Sequence, residues 1–209
     1  ITAIASMYAS GIKSLIDYET KLKGNFHTVF YNVPVSDMDK FENNRNIETL
    51  NITKGIGYAK VDSKNEDKPY AYIKGFTKES LNNLSIRLVS GRLPENDNEI
   101  VIPTHLKTNG RLNLKVNDTI TLEVGKRIDS TGYELDQNNP YQKSDSDGSG
   151  ESLIETKTKT YKIVGIIERP ATNIENYTAP GYTFITYMDN NKISGNVDVY
   201  ARFTKDGTK

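Results

Sequence analysis

Between Ser90 and Pro103 the sequence reads SGRLPENDNEIVIP. Gly91 supplies the permissive backbone for a corner, and Pro94 fixes φ in the turn that follows it. The ENDN run, 95–98, is solvated turn chemistry, and it delivers Ile100, Val101 and Ile102 with no polar residue between them. A strand that short and that uniformly aliphatic has no face to offer water, so it belongs in a sheet covered on both sides. Arg92 and Glu99 flank the corner at a separation that permits an ion pair across it, and such a pair fixes the turn rather than catalysing anything.

The rest of the chain leans toward strand. NFHTVFYNV, 25–33, reads as a strand closed by Pro34. SDMDKFENN predicts a short helix opened by a capping-box-like pair, Ser36 and Asp39. IETLNITKGIGYAKVD resumes strand character, with Gly55 and Gly57 marking a bend or bulge. YAYIKGF is an alternating strand, and TKESLNNL a short helix with Thr77 as its N-cap. DTITLEV alternates at Ile120, Leu122 and Val124, TKTYKIVGIIERP is the most hydrophobic strand, and GYTFITYM and NVDVYARF follow. Residues 126–152 are Gly/Ser/Asp-rich and lack a period, which predicts a long mobile loop. Tyr133, Leu135 and Tyr141 put apolar groups into that loop and are candidate partner contacts. Thirteen tyrosines and no tryptophan fit the same bias, and no fixed-period repeat appears. The class is α+β with a mostly antiparallel or mixed sheet.

The first 24 residues differ. Ile4, Tyr8, Ile12, Leu15 and Leu22 recur at helical spacing, and Gly24 stands where a C-terminal cap belongs. Some twenty residues at ~1.5 Å each make a helix of about 30 Å. Two readings are open, an ordinary surface helix and the exposed end of a transmembrane helix. No apolar run within the sequence approaches the ~20 residues that a span needs.

Composition narrows function. The 209 residues carry 27 basic and 27 acidic side chains, a formal net charge of zero, so the basic surplus that binds phosphate backbones is missing and nucleic acid is excluded as a partner. Length alone fits one or two domains. Cysteine is absent, which rules out a disulfide framework and a thiol nucleophile. His27 and His105 have no second histidine at ligand spacing. SDSDGSGE resembles half a calcium loop through Asp145, Asp147 and Glu151, but its glycine comes two residues early. GIG at 55–57 lacks the third glycine of a dinucleotide site, and the glycines around Ser149 do not form a nucleophile elbow. No nucleophile, base and orienter converge, so the expectation is a domain without enzymatic activity, cofactor or tightly bound metal.

Taken in order, YAYIKGFTKESLNNLSIRLVSGRLPENDNEIVIP, NDTITLEVGKR, TYKIVGIIERP and APGYTFITY resemble the extracytoplasmic domain of FtsX-like, MacB-type ABC transporter permeases, the MacB-like periplasmic core domain. The family hallmark is a strand ending in glycine, a short helix, a GRLP-type turn with an acid-Ile-Val strand, and a later Y-x-I-V-G-I strand. Here Gly91, Arg92, Pro94 and Glu99 carry the turn. The resemblance spans nearly the whole chain from about residue 25. It implies two lobes: a membrane-proximal βαβ-type lobe from 25–62 and 193–209, interrupted by an inserted β-rich lobe at 63–192 that carries loop 126–152. Residues 1–24 become a stalk continuing a transmembrane span. The implied setting is the extracytoplasmic side of a bacterial cell membrane. The implied partners are the transmembrane helices of the same permease, a cytoplasmic ABC ATPase subunit that hydrolyses the nucleotide, a second permease copy, and an extracellular protein or peptide. The implied role is transmission of ATP-driven motion, for peptide or lipoprotein export or for activation of cell-wall hydrolases. A surface-anchored or secreted binding module of adhesin-like kind is the alternative. Two departures stand out: the family supplies one more helix and strand where this sequence reads FTKDGTK, and loop 126–152 is an embellishment.

Overall fold

The structure, a computed structural model, describes residues 2–144 and 148–207, with side chains in the first helix described from Ala9 onward. Helix α1 (Thr2–Lys23) leads into strands β1 (Thr28–Pro34) and β2 (Ile47–Lys60), joined through the short helix α2 (Asp39–Glu42). Next come β3 (Tyr70–Phe76), α3 (Lys78–Asn83), β4 (Leu88–Gly91), β5 (Glu99–Pro103) and α4 (His105–Thr108). The chain finishes with β6 (Thr119–Ile128), β7 (Glu134–Leu135), β8 (Ser152–Ile167), β9 (Gly181–Tyr187) and β10 (Asn196–Phe203). The class is α+β, built on a mixed 10-stranded sheet in the order β1-β10-β2-β3-β9-β5-β8-β6-β7, with β4 paired to β8. The parallel pairs are β3–β9 and β5–β8.

Two regions share strand β2. Its first half pairs with β10, and β10 lies between β2 and β1, antiparallel to both, so β1 and β2 run the same way with α2 in their connection. This is a split β-α-β arrangement, with its own small core of Val33, Met38, Val197 and Val199. The second half of β2 pairs with β3 and, through Tyr58 and Gly125, with β6, closing β2, β3, β9, β5, β8 and β6 into a ring. Ala59, Ile73, Ile100, Leu122, Tyr161, Ile163 and Phe184 pack together in the largest core. Closure depends on two glycines. A Cβ on Gly57, at φ +151, would lie 2.7 Å from Gly125 O, and one on Gly125 would lie 2.4 Å from Ile154 O. The register shift between Gly55 and Gly57 is the bulge that the sequence predicts there.

Several local expectations hold. Ile100, Val101 and Ile102 are almost wholly buried, flanked by β8 and β9. Thr77 caps α3, accepting from Ser80 N at 3.3 Å. Gly24, at φ +109, ends α1, its N donating to Thr20 O at 2.9 Å.

Two expectations are corrected. Ser36 caps nothing: Val35–Asp37 form a 3₁₀ turn, and α2 begins after Met38 without a side-chain cap. The segment 126–152 is not a continuous mobile loop, because β6 runs on to Ile128, Glu134–Leu135 form β7, and β8 starts at Ser152. The fixing element is Arg127. Its guanidinium is fully buried, donates from Nε and Nη2 to Glu151 at 2.7 and 2.6 Å, and donates from Nη1 to Asp136 O at 2.6 Å. Tyr58 and Tyr70 cover it, with ring centroids 5.1 and 5.5 Å away. Backbone carbonyls that composition alone leaves to solvent thus gain a charged donor. Asp145 and Asp147 lie outside the described residues.

Candidate functional site: the Gly91 corner and the foot of the first helix

The corner at 90–103 is built as its residue types require. Gly91 has φ +78, and a Cβ there would lie 2.2 Å from Val164 O. Arg92 N donates to that same carbonyl at 2.9 Å. The Arg92 guanidinium meets Glu99 end to end, Nη1–Oε2 at 2.7 Å and Nη2–Oε1 at 2.5 Å, and Glu95 N donates to Glu99 at 2.9 Å. The hydrogen bond from Arg92 holds the Glu99 carboxyl at about 2, well below the usual carboxylate range. The sequence-predicted set Gly91, Arg92, Pro94 and Glu99 is therefore one local unit. Three hydrogen bonds, two from Arg92 and one from Glu95 N, hold the carboxylate within the turn.

Beside this corner lies an open groove of about 540 Å³. One wall is α3 through Lys78, Leu81 and Asn82, and the other is β4 and the turn through Leu88, Gly91 and Leu93. Leu88 and Val89 are 43% and 56% exposed, apolar side chains on a strand that pairs with β8 alone.

Helix α1 stands away from the body. Ala9 to Glu19 are all exposed, including Ile12, Leu15, Ile16 and Tyr18. Contact is made at the foot. Leu22 lines one small pocket with Ser85, Ile86 and Arg87, Ser85 Oγ donates to Lys21 O, and Asn25 N donates to Asn83 O at 3.2 Å. No described helix is long and apolar enough to cross a membrane.

Of the three aromatic and aliphatic contacts that the sequence marks in 126–152, only Tyr133 is presented to solvent, at 66% exposure. Leu135 is buried, and Tyr141 packs edge-on against Tyr70 at 5.7 Å. They do not form one surface, because Leu135 and Tyr141 tack the segment to the body. Missed entirely by sequence reasoning is a buried charge cluster around Glu175. His105 Nε2 lies 2.7 Å and Lys68 Nζ 3.0 Å from Glu175 Oε1, and Thr183 N donates to Oε2 at 2.7 Å. Burial alone raises the Glu175 pKa, yet the His105 hydrogen bond and the Lys68 charge hold it at about 2. The three residues come from segments far apart in sequence, so no spacing announces them. Lys68 Nζ also donates to Ala179 O at 2.6 Å, so the cluster fastens loops. Among the described residues, no group of three or more His, Asp or Glu side chains is arranged to hold a metal ion.

No family model matches the chain, and no curated protein matches it. Solved structures do. Over 85% of this chain and 67% of the other, it is similar to the periplasmic region of MacB from Actinobacillus actinomycetemcomitans, at 10% identity and a TM-score of 0.41. Over 85% of this chain and 83% of the other, it is similar to the extracellular domain of the noncanonic ABC-type transporter YknZ from Gram-positive bacteria, at 6% identity and a TM-score of 0.46.

Proposed function

We propose that this chain is an extracytoplasmic domain of an FtsX-like, MacB-type ABC transporter permease, and that it passes displacement of membrane helices to an extracellular partner or substrate. The observation that carries the reading is α1. A 22-residue helix, roughly 33 Å at ~1.5 Å per residue, leaves the body with Ile12, Leu15, Ile16 and Tyr18 exposed, and it is fastened by its last turn. Isolated helices in water lean on packing of an apolar stripe, and here the described body does not supply it. A stalk packed against other helices of the same permease does. The ordered motifs supply the second support: the strand ending in Gly75–Phe76, helix α3, the Gly91 corner, β5 and β8 follow in the sequence order of the family hallmark.

In this proposal the membrane-proximal lobe comprises 25–62 and 193–209, and the inserted lobe 63–192. ATP hydrolysis belongs to a cytoplasmic ATPase, and a second permease copy completes the transporter. The test is topological. A Tyr133→Cys substitution places a lone thiol at an exposed position of a cysteine-free chain. In intact cells that express the full gene product, a membrane-impermeant maleimide labels it above the level of the unsubstituted parent, and an ATPase subunit co-purifies. A thiol that reacts only after lysis overturns the reading.

A further inference from the structure

We propose that the open edge of β8 at residues 157–161 takes up an extended partner segment as an added strand, and that this segment carries acidic side chains at alternate positions. The inference names the chemistry of the extracellular partner in the proposed function and rests on that reading for its setting, not for its geometry. Strand β8 outruns one of its neighbours. On one side β6 pairs with it from Ser152 to Lys162, while on the other β5 begins only at Glu99, opposite Lys162. From Lys162 back toward Ser152, no described strand lies along that second side.

The hydrogen bonds fix which groups are left open. Lys162 N donates to Asn98 O on the β5 side at 2.8 Å, and Ile163 N donates to Asp118 O on the β6 side at 2.8 Å. The pairing with β6 keeps one register from Lys157 to Lys162, so the direction of the backbone groups alternates without interruption over that run. Thr158 and Thr160 therefore aim both N–H and C=O at the open side. Both residues are exposed. Their side chains lean toward β6, Thr158 Oγ1 donating to Glu123 at 2.6 Å and Thr160 Oγ1 meeting Thr121 Oγ1 at 3.0 Å, and leave the edge clear. Such a row of open backbone groups is a template for another strand.

The flanking side chains select the guest. Lys157, Lys159 and Tyr161 stand opposite Val124, Leu122 and Ile120 and so share one face. Lys157 is exposed, and Lys159 is half-buried with Nζ 5.1 Å from the Tyr161 ring centroid. Among the described residues neither lysine has a carboxylate within 4.0 Å, whereas Lys126 holds both Glu155 and Glu134. A guest strand sets its residues opposite 157 and 159 in non-hydrogen-bonded pairs, the closer kind, where opposite charges attract and like charges repel. A second copy is a poor guest for the same reason, because this edge laid antiparallel along itself sets Lys159 against Lys159.

The probe is a fluorescein-labelled peptide that alternates glutamate with valine and threonine. Its controls are the same peptide with lysine in place of glutamate, and the acidic peptide N-methylated along one edge so that it cannot donate to β8. Binding to the folded 209-residue chain is read by fluorescence anisotropy, and amide hydrogen exchange is read residue by residue. The acidic peptide should bind, and at saturation it should slow exchange at Thr158 and Thr160 by at least about tenfold while leaving Lys157 and Lys159, which already face β6, unchanged. Lys157→Glu combined with Lys159→Glu turns two attractive pairs into repulsive ones, so it should weaken the acidic peptide by at least about tenfold and admit the basic one. If the combination does not fold, Lys157→Glu alone serves, at an exposed position. Absence of binding, equal binding of the acidic and basic peptides, equal binding of the N-methylated peptide, or unchanged exchange at Thr158 and Thr160 overturns the proposal. The measurement needs no membrane, so its outcome is separable from that of the labelling experiment in cells.

Discussion

Replacing Arg127 by methionine is the sharpest test of how the segment 126–152 is ordered. The guanidinium and the Glu151 carboxylate are both fully buried, and three carbonyls, those of Asp136, Asn139 and Pro140, accept from it as well. Methionine fills part of the volume between Tyr58 and Tyr70 but leaves Glu151 with the backbone donor Gln142 N at 2.9 Å and no opposing charge. Breaking one side of a buried ion pair costs about 3–5 kcal/mol. At roughly 2–4 °C per kcal/mol for a chain of this size, the melting temperature should fall by about 6–20 °C. The double substitution Arg127→Met with Glu151→Leu removes both charges and should recover a large part of the loss, because the penalty lies mainly in the stranded carboxylate. Thermal melts of the four proteins of this cycle give the coupling, and limited proteolysis reports whether 129–142 becomes cleavable in step. A single-variant loss below about 1 kcal/mol, or a double variant as unstable as the single, refutes the claim that this pair orders the segment.

Other consequences follow from the same geometry. Gly91→Ala adds a Cβ 2.2 Å from Val164 O at φ +78, so it should destabilise by more than the ~1 kcal/mol of ordinary left-handed strain, read by denaturant unfolding. Glu175, held at about 2 when folded against ~4.3 when unfolded, stabilises the fold above the unfolded value, and that stability drains away as pH falls from there toward 2. Glu175→Gln should therefore lower the neutral-pH melting temperature and flatten its decline between pH 4.5 and 2 in circular-dichroism melts. Leu15→Lys should change the stability of the isolated chain by under ~0.5 kcal/mol, because the side chain is 66% exposed, while the proposed stalk packing predicts that it abolishes function of the full gene product.

Much of the fold is legible in the sequence because local chemistry and final structure agree. Gly91 and Pro94 dictate a corner, Thr77 a helix start, and the aliphatic run at 100–102 a central strand. The structure departs from the sequence where a single residue changes phase. Strand β6 alternates through Ile120, Leu122 and Val124, and continued alternation puts Lys126 inside. The register shift between Val124 and Lys126, at Gly125, turns Arg127 inward instead. That one bulge turns a residue of the expected loop into a buried cation, and nothing in composition signals it. The Glu175 cluster is illegible for another reason: it joins residues 68, 105 and 175, which only the closed ring brings together. The corner at Gly91 is readable from its own residues. The groove beside it is not, because it takes α3, β4 and Tyr187 at once.

The central claim is that α1 conveys motion from the membrane to this domain. A helix of about 33 Å tilted by some 10° carries its far end through roughly 6 Å. In the full-length gene product with the proposed ATPase in lipid nanodiscs, spin labels at Tyr133→Cys on the two proposed copies give their separation with and without ATP and vanadate. The account predicts a nucleotide-dependent shift of several ångströms in that separation. Identical distributions in both states, in a preparation that hydrolyses ATP, contradict it.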